Sequence, residues 1–332
     1  MLDQVIDFFD IKVDYDLNIM KPNQTLHQLT SDLISKITED ILLKDNFDFV
    51  FVQGDTTTVL AASLASFYQK IKIIHIEAGL RSFDLQSPFP EEMNRVLTSK
   101  IASYHFCPTD SAKQNLNNEG IISNVFVVGN TVIDSLFIGL KKLQSSTELA
   151  LAEKFKNIDF NKKIILVTCH RRENFGQPFK NICASITEIA KNNKSTVEIV
   201  YPVHLNPNIK DVANKMLTEP NIRLIAPLDY PELIWIMNKS YLILTDSGGI
   251  QEEAPSLGKP VLVLRTVTER NEGVTAGTAV LVGSNKDLII NEVQKLLTDN
   301  DYYDSISEIS NPYGDGKTSE RIVKIIEEVN IL

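Results

Sequence analysis

The feature that most constrains the fold of this chain is a regular alternation of short apolar runs with longer amphipathic runs. The strand-like runs in its first part are Asp48–Gln53, Lys72–Ile76, Tyr104–Cys107 and Val125–Val128. Helical patterns separate them near Thr56–Tyr68, Glu91–Lys100 and Ser111–Asn117. Because each crossover between parallel strands needs a helix to return the chain to the same edge, this order predicts βαβ units. It indicates a parallel sheet covered on both faces.

A second alternating series follows a break in the pattern. After a helix around Thr131–Gln144, a charged segment from Glu148 to Lys163 interrupts the apolar pattern, which resumes at Ile164–Thr168. The later runs are Val197–Pro202, Ile222–Ile225, Tyr241–Thr245, Pro260–Leu264 and Ala279–Val282, with a last helix at about Thr318–Asn330. We therefore predict an α/β fold of two doubly wound, Rossmann-like domains that face each other across a cleft. The expected domains are residues 1–135, joined by the C-terminal helix 315–332, and residues 136–314.

Composition excludes several classes of partner. The 33 basic and 43 acidic residues give a net charge of −10, which repels nucleic acid and anionic membranes. No apolar run approaches the roughly 18 residues of a membrane helix, and the acidic start MLDQVIDFFD is not a signal peptide. The three cysteines, Cys107, Cys169 and Cys183, have no paired CxxC spacing, which indicates neither a disulfide framework nor a zinc site. A reducing cytoplasm fits best.

The stretch from Tyr241 to Arg265 has the pattern of half a nucleotide site. An apolar strand is followed by the polar turn Thr245–Gly249 and then by a helical run from Gln251. Free N–H groups at a helix N-terminus favour a phosphate, and glycines in the turn let a ligand approach the backbone. An ordinary strand-to-helix connection, with Asp246 or Ser247 as the N-cap, explains the same turn, and the spacing alone does not decide.

Acidic residues follow the first two strands of the first series. Asp55 comes after one strand, Glu77 after the next, and Glu91 and Glu92 follow on a proline-rich loop. Because strand ends meet at one rim of a parallel sheet, these carboxylates are candidates for acid and base chemistry. Each is also explained as a helix cap or first-turn acid, although Glu77, between His75 and Arg81, gains little from capping.

A cationic cluster follows the first strand of the second series. His170, Arg171 and Arg172 stand at a predicted helix start in an acidic protein, and His204 holds the analogous place after the next strand. We favour anion binding over a merely solvated turn. His27 and His105 lie in helix and strand patterns and are expected to be structural.

The chain resembles the non-hydrolysing UDP-N-acetylglucosamine 2-epimerases from Met1 to about Arg321. The shared motifs, in order, are GDTTT, HIEAGLRS, PFPEEMNR, GNTVID, HRREN, YPVHLNP, TDSGGIQEEAPSLGKPVLVLR and NPYGDG. The resemblance implies the glycosyltransferase-B fold, UDP-N-acetylglucosamine and UDP as ligands, a homodimer, and neither a metal nor another cofactor.

The resemblance also implies roles for particular residues. The acid and base carboxylates correspond to Asp55, Glu77 and Glu91, and His170 contacts the diphosphate side of the nucleotide. Ser247, Gly248 and Gly249 bind phosphate and Glu253 binds the ribose. The other substrate-binding residues are Arg95, Arg171, His204 and Arg270.

The implied reaction is inversion at C2 of the sugar. No carbonyl on the adjacent ring carbon activates the C2 proton, so the family expels UDP from C1 and re-adds it to a 2-acetamidoglucal. Acid and base groups on opposite faces of the ring are therefore expected. The alternatives are a glycosyltransferase of the same fold, a hydrolysing epimerase and an inactive UDP-sugar-binding protein.

The chain also departs from the family. Its members usually begin with a strand and a GTRPE-like turn, which this sequence does not contain. On that ground the first domain is expected to be N-terminally truncated and to fold poorly, with little activity. Cys169 and Asn271 stand where the family commonly has a small residue and a proline, and we expect both to be tolerated.

Overall fold

The computed structural model describes residues 2–328, without the side chains of Leu2 and of residues 144–146. Its strands are Phe49–Gln53 (β1), Lys72–Ile76 (β2), Tyr104–Cys107 (β3), Val125–Val127 (β4), Lys163–Thr168 (β5), Val197–Pro202 (β6), Ile222–Ile225 (β7), Leu242–Thr245 (β8), Val261–Val263 (β9) and Ala279–Leu281 (β10).

The α-helices are Leu2–Phe8 (α1), Leu26–Ile37 (α2), Thr57–Tyr68 (α3), Glu91–Ile101 (α4), Asp110–Asn118 (α5), Thr131–Ser146 (α6), Glu148–Lys154 (α7), Gln177–Asn192 (α8), Pro207–Met216 (α9), Tyr230–Lys239 (α10), Gly248–Glu253 (α11), Asn271–Ala276 (α12), Lys286–Thr298 (α13), Asn300–Ser307 (α14) and Thr318–Glu328 (α15). A π-helical turn, Thr38–Leu42, continues α2, and 3-10 turns cover Arg172–Asn174 and Ala254–Leu257.

The chain forms two compact units. The first unit comprises residues 12–131 and the segment from Lys317, and the second unit comprises residues up to Ile11 together with residues 132–316. The first unit has the parallel sheet β1-β2-β3-β4. The sheet of the second unit is also parallel, in the order β10-β9-β8-β5-β6-β7.

Local sequence signals set the helices of the first unit. The Thr25 side chain accepts from the Gln28 N–H, and Gln28 completes a capping box at the start of α2. Thr56 and Thr109 accept in the same way from the third residue beyond them, which starts α3 and α5 directly after strands. One face of the sheet buries Ile74 and Phe106 with other apolar residues, among them Val128, Ile322 and Ile326.

The sheet of the second unit has a core on each face. Ile165 and Val167 of β5 pack in the core that α8, α9 and α13 complete, whereas Ile164 and Leu166 pack in the core with α6 and α10. This follows from the strand geometry, because successive side chains point to opposite faces. A strand buried on both faces reads as a continuous apolar run.

The predicted fold of two parallel α/β domains is confirmed, and β2, β3, β6 and β7 have the predicted bounds. The predicted last helix is present as α15, and the part of that prediction beyond Glu328 lies outside the described residues.

Helix α1 packs within the second unit, where the ring of Phe8 lies 6.5 Å from that of Tyr230. Between Leu2 and Glu328, none of the helices has the length and apolar character needed to cross a membrane.

Register brings the carboxyl ends of the central strands together in the second unit. Thr168, the last residue of β5, pairs with Thr245, the last residue of β8, and their hydroxyls are 2.6 Å apart. Since polar turns follow both strands, the residues after Thr168 and after Thr245 meet at one edge of the sheet.

Candidate active site

The turn after β8 leads directly into a short helix. Ser247 is the N-cap of α11 and makes no capping hydrogen bond with its side chain. The Asp246 carboxylate points away from the helix and accepts from the N–H groups of His170 and Arg171. Of the two N-cap alternatives, Ser247 holds the position. The first N–H groups of α11 have no partner within the helix, which suits an anion.

A cavity of about 230 Å³ opens at this edge of the second unit. Its lining residues are Thr168, Cys169, His170, Pro202, His204, Pro227, Leu228, Leu233, Ser247, Gly249, Ile250 and Glu253. The structure thus brings together His170, His204, Ser247, Gly249 and Glu253, which were singled out from separate motifs. An apolar pocket with a few convergent polar groups is the usual form of a small-molecule site.

Gly248, the first residue of α11, lies beside Arg270. A methyl group at Gly248 would be 3.7 Å from the Arg270 guanidinium carbon, and the Arg270 Nε donates to Glu252. Glu252 is buried, so it holds the guanidinium near the turn. Arg171 lies farther out, with its Nη2 3.9 Å from Glu269.

His170 is placed by its neighbours on both sides. Its Nδ1 lies 3.4 Å from Asp246 Oδ1, and its ring stacks on His204 with centroids 5.8 Å apart. Burial lowers the pKa of His170, while Asp246 opposes this and Arg171 and His204 add to it. The imidazole is therefore neutral near pH 7 and carries one ring proton.

Glu253 is a buried carboxylate that lines the cavity. Tyr230 donates to Glu253 Oε1 at 2.9 Å. Burial raises the pKa of Glu253 to about 7, against the opposing hydrogen bond from Tyr230. Near neutral pH, Glu253 therefore exists in both protonation states and can accept or donate a hydrogen bond.

Asp55 follows β1 in the first unit at a glycine turn. Gly54 has a φ of 77°, and its N–H donates to Ile76 O at 3.0 Å. The Asp55 carboxylate pairs with Arg95 at 2.8 Å, and Asn94 donates to the Asp55 carbonyl at 2.9 Å. The start of α4 thus fixes Asp55 beside the end of β1.

Glu77 lies next to this turn. Its Oε2 would be only 3.5 Å from a methyl group at Gly54, and its own backbone has a φ of 62°. A left-handed conformation is uncommon in a residue with a side chain and is found often at functional sites. His75 Nε2 is hydrogen-bonded to the Gly54 carbonyl at 2.8 Å, and burial lowers the pKa of His75 to about 4.

The other predicted residues of the first unit have different surroundings. Glu91 begins α4 and is half-buried, so its role as an acid or base stays a prediction. Arg95, predicted to bind substrate, is buried and pairs with Asp55 and Glu92. Arg81, next to Glu77 in the motif, instead forms a double hydrogen bond with Glu119 at 2.6 and 3.0 Å.

Several residues that contact the predicted site residues or their neighbours were not singled out from the sequence. Asn174 donates to Asp246 at 2.9 Å, and Arg265 pairs with Glu173 and Glu269 at 2.6 Å each. All lie in the motifs HRREN and TDSGG…VLVLR or soon after them, and that placement is the signal that could have identified them.

Across residues 2–328, no cluster of three His, Cys, Asp or Glu side chains has the arrangement of a metal site.

Comparison with known proteins gives consistent matches over the whole chain. The family described as UDP-N-acetylglucosamine 2-epimerase matches residues 1–327. A UDP-N-acetylglucosamine 2-epimerase of Salmonella typhimurium is 51% identical over 335 residues, covering 100% of this chain and 89% of the relative. The crystal structure of UDP-GlcNAc 2-epimerase from Neisseria meningitidis, described as bound to UDP-GlcNAc, is similar with a TM-score of 0.90. It is 51% identical, with 98% of this chain and 88% of that one covered. The Methanocaldococcus jannaschii enzyme, in complex with UDP-GlcNAc and UDP, has a TM-score of 0.79 at 38% identity, with coverage of 98% and 88%.

Proposed function

This chain belongs to the UDP-N-acetylglucosamine 2-epimerase family, and we propose that it acts by eliminating UDP from C1 of the sugar and adding it back. As an isomerase of this family, it interconverts UDP-N-acetylglucosamine and UDP-N-acetylmannosamine. The residue roles that follow are part of the proposal.

The cavity of the second unit is the observation that carries the proposal. It combines an apolar wall from Pro227, Leu228 and Leu233 with a glycine turn and the imidazole of His170. The apolar wall suits a nucleobase, and the helix start at Gly248 suits the diphosphate. Glu253, which also lines the cavity, suits the ribose hydroxyls.

Elimination explains why phosphate binding and acid–base groups are both needed. Removing the C2 proton alone would leave a carbanion that no adjacent carbonyl stabilises. Breaking the C1–O bond at the same time places the electrons in a C1–C2 double bond and the negative charge on UDP. Groups that bind the diphosphate more tightly as its charge grows therefore lower the barrier.

We assign the diphosphate to His170, Arg171, Arg270 and the turn Ser247–Gly249, with His204 beside His170. His170 carries no charge in the free site and can take up a proton to pair with the leaving diphosphate. The Arg270 guanidinium, held near Gly248 by Glu252, supplies a permanent cation.

The proton transfers belong to the carboxylates of the first unit. Asp55 and Glu77 follow neighbouring parallel strands, and Glu91 begins the helix whose Arg95 fixes Asp55. Inversion needs a base on one face of the ring and an acid on the other, which at least two of these carboxylates supply. Arg95, paired to Asp55 at 2.8 Å, orients its carboxylate.

We further propose a homodimer in the cytoplasm. In the first unit, Phe67, Tyr68 and Leu97 expose 53%, 65% and 46% of their surface, and large exposed apolar side chains are what a subunit interface would cover. The cysteines are free and buried, as suits a reducing compartment. Light scattering after size exclusion gives the mass directly, and a mass near one 37.3 kDa chain would contradict the dimer.

The experiment that tests the proposed function is incubation of the purified chain with UDP-N-acetylglucosamine alone, followed by proton NMR. We expect the anomeric signal of UDP-N-acetylmannosamine to appear and to reach the same ratio from either substrate. Release of free N-acetylmannosamine and UDP would indicate hydrolysis instead. Turnover that required an added sugar acceptor would indicate a glycosyltransferase, and binding of UDP without turnover would indicate a binding protein.

A further inference from the structure

Asp246 is a buried, hydrogen-bonded carboxylate near the cavity, yet it has no place in the proposed chemistry. It follows β8 directly and is fully buried. Its oxygens accept from His170 N at 3.2 and 2.9 Å, from Arg171 N at 2.8 Å and from Asn174 Nδ2 at 2.9 Å. Burying a carboxylate is costly unless its oxygens are hydrogen-bonded, and here three nitrogen donors meet that need.

Asn174 fixes Asp246 from the other side. Its Nδ2 also donates to the Leu264 carbonyl at 3.1 Å, just beyond β9. Three strand ends, those of β5, β8 and β9, are thus tied together by two buried side chains. This leaves the Asp246 carboxylate one orientation, with Oδ1 toward the His170 ring.

The consequence concerns the two nitrogens of His170. In a neutral imidazole one nitrogen carries the proton, and the interaction at one ring nitrogen decides the state of the other. The groups that face this ring are Asp246, Arg171 and His204, of which only Asp246 is an anion. Its Oδ1, at 3.4 Å from Nδ1, favours the proton on Nδ1.

We propose that Asp246, held by Asn174, is the positioning residue for His170, keeping the ring proton on Nδ1 and presenting Nε2 to the diphosphate. Nε2 then takes up a proton from solvent, and the resulting imidazolium pairs with the diphosphate anion as its charge grows. This inference rests on the proposed function only in taking a diphosphate as the ligand.

The first test uses the unchanged chain. Selective nitrogen-15 labelling of histidine, with His170→Gln to assign the signal, reports the tautomer by NMR near pH 7.5. We expect the Nδ1–H form for His170, and Asp246→Asn should shift the signal toward the Nε2–H form. A parent signal from the Nε2–H tautomer would overturn the proposal, whether or not the variant folds.

The second test is a double-mutant cycle measured by calorimetry with UDP. Asp246→Asn should weaken UDP binding roughly tenfold, the effect of one well-placed hydrogen bond, but less than about threefold in a His170→Ala background. Asp211→Asn, an exposed aspartate of the same unit, should leave affinity unchanged. Equal losses in both backgrounds would show that Asp246 acts only through the backbone and would refute the positioning role.

These readouts separate the two proposals. Neither NMR of the ring nor UDP binding requires turnover, so absence of epimerisation would contradict the proposed function and leave the positioning role standing. Failure of UDP to bind the parent chain would overturn the claim that Nε2 serves a diphosphate.

Discussion

Glu91 and Glu92 are neighbours in sequence whose carboxylates have different surroundings. Glu92 is 1% exposed, accepts from the N–H groups of Ser82 and Phe83, and pairs with Arg95. Glu91 is half-buried at the first position of α4. Burial and bonding assign Glu92 to the loop that precedes the helix, so of the two only Glu91 remains a candidate for acid–base chemistry.

The first prediction follows from this difference. Glu91→Gln should lower the epimerisation rate at least about 100-fold, the typical loss for a general acid or base, and leave the melting temperature unchanged. Glu92→Gln should lower the melting temperature. Asp55→Asn and Glu77→Gln should cost as much rate as Glu91→Gln, with little change in UDP affinity. The exposed Glu39→Gln is the control, and near-parental exchange of the C2 proton in any of the three variants would remove that residue from the mechanism.

Glu253 gives a prediction about pH. Burial raises its pKa to about 7 from the 4.5 of an unfolded chain, so between these values the folded state holds a proton that the unfolded state has released. The free energy of unfolding therefore falls as pH rises from about 4.5 to about 7, and this contribution levels off above that.

Glu253→Gln removes this dependence while an amide oxygen remains to accept from Tyr230. Thermal unfolding should be measured at several pH values. As pH rises to about 7, the melting temperature of the variant should rise relative to that of the parent by about 2 °C or more. Exposed Glu308→Gln should follow the parent throughout. Parallel curves for the parent and Glu253→Gln would mean that Glu253 is ionised across the range.

At the scale of elements, a substitution at the start of α11 should affect stability and UDP binding differently. A methyl group at Gly249 would have its nearest contact 4.0 Å away, at Glu253 Oε2, so the fold has room for it. Because alanine is favoured over glycine in helices, Gly249→Ala should keep or raise the melting temperature. The same methyl group would stand where we propose that the diphosphate binds, so calorimetry should show UDP affinity lowered at least about tenfold. Uridine, which has no phosphates, should bind the variant and the parent alike, and unchanged UDP affinity would place the diphosphate elsewhere.

The ion pair between Arg81 and Glu119 connects the loop after β2 to the end of α5. Arg81 is 1% exposed in its side chain, and its hydrogen bond is the main cause that lowers the pKa of Glu119. Arg81→Ala should destabilise the chain by about 3 kcal/mol at pH 7, as expected when a buried pair is broken. Lys44→Ala, which removes an exposed pair with Asp40, should cost less than about 1 kcal/mol.

The effect of Arg81→Ala should also depend on pH. Because the pKa of Glu119 is lower in the folded state than the unfolded value of 4.5, its carboxylate stabilises the fold above that pH. This contribution is lost as pH falls. The difference between the parent and Arg81→Ala, measured by urea unfolding, should therefore shrink in acid. A difference that stays constant to pH 3 would mean that lost packing, rather than charge, destabilises the variant.

For the whole molecule, sequence predicted the order of elements better than their contacts. Apolar runs bounded by polar turns predicted β2 and β3 with the bounds that the structure has. The partner of Arg81 lies 38 residues away, and Asp246 meets His170 across 76 residues. Such contacts depend on which strand ends become neighbours, which periodicity does not report.

The arrangement of strand ends also explains which residues of the site could be predicted from the sequence. Residues after strand ends were predictable candidates, because parallel strands bring their carboxyl ends to one rim. His170, His204 and Ser247 do line one cavity. The buried residues behind them, Asp246 and Asn174, were indistinguishable from capping residues in the sequence, since only the fold shows where their side chains point.

The most direct test of elimination and re-addition uses substrate labelled with oxygen-18 at the bridge between C1 and the β-phosphorus, in deuterium oxide. If the C1–O bond breaks, the β-phosphate oxygens of bound UDP become equivalent by rotation. We predict that recovered UDP-N-acetylglucosamine shows the label in non-bridging positions by phosphorus NMR and deuterium at C2. Deuterium at C2 with the label still wholly in the bridge would contradict the account, because the proton would then leave without departure of UDP.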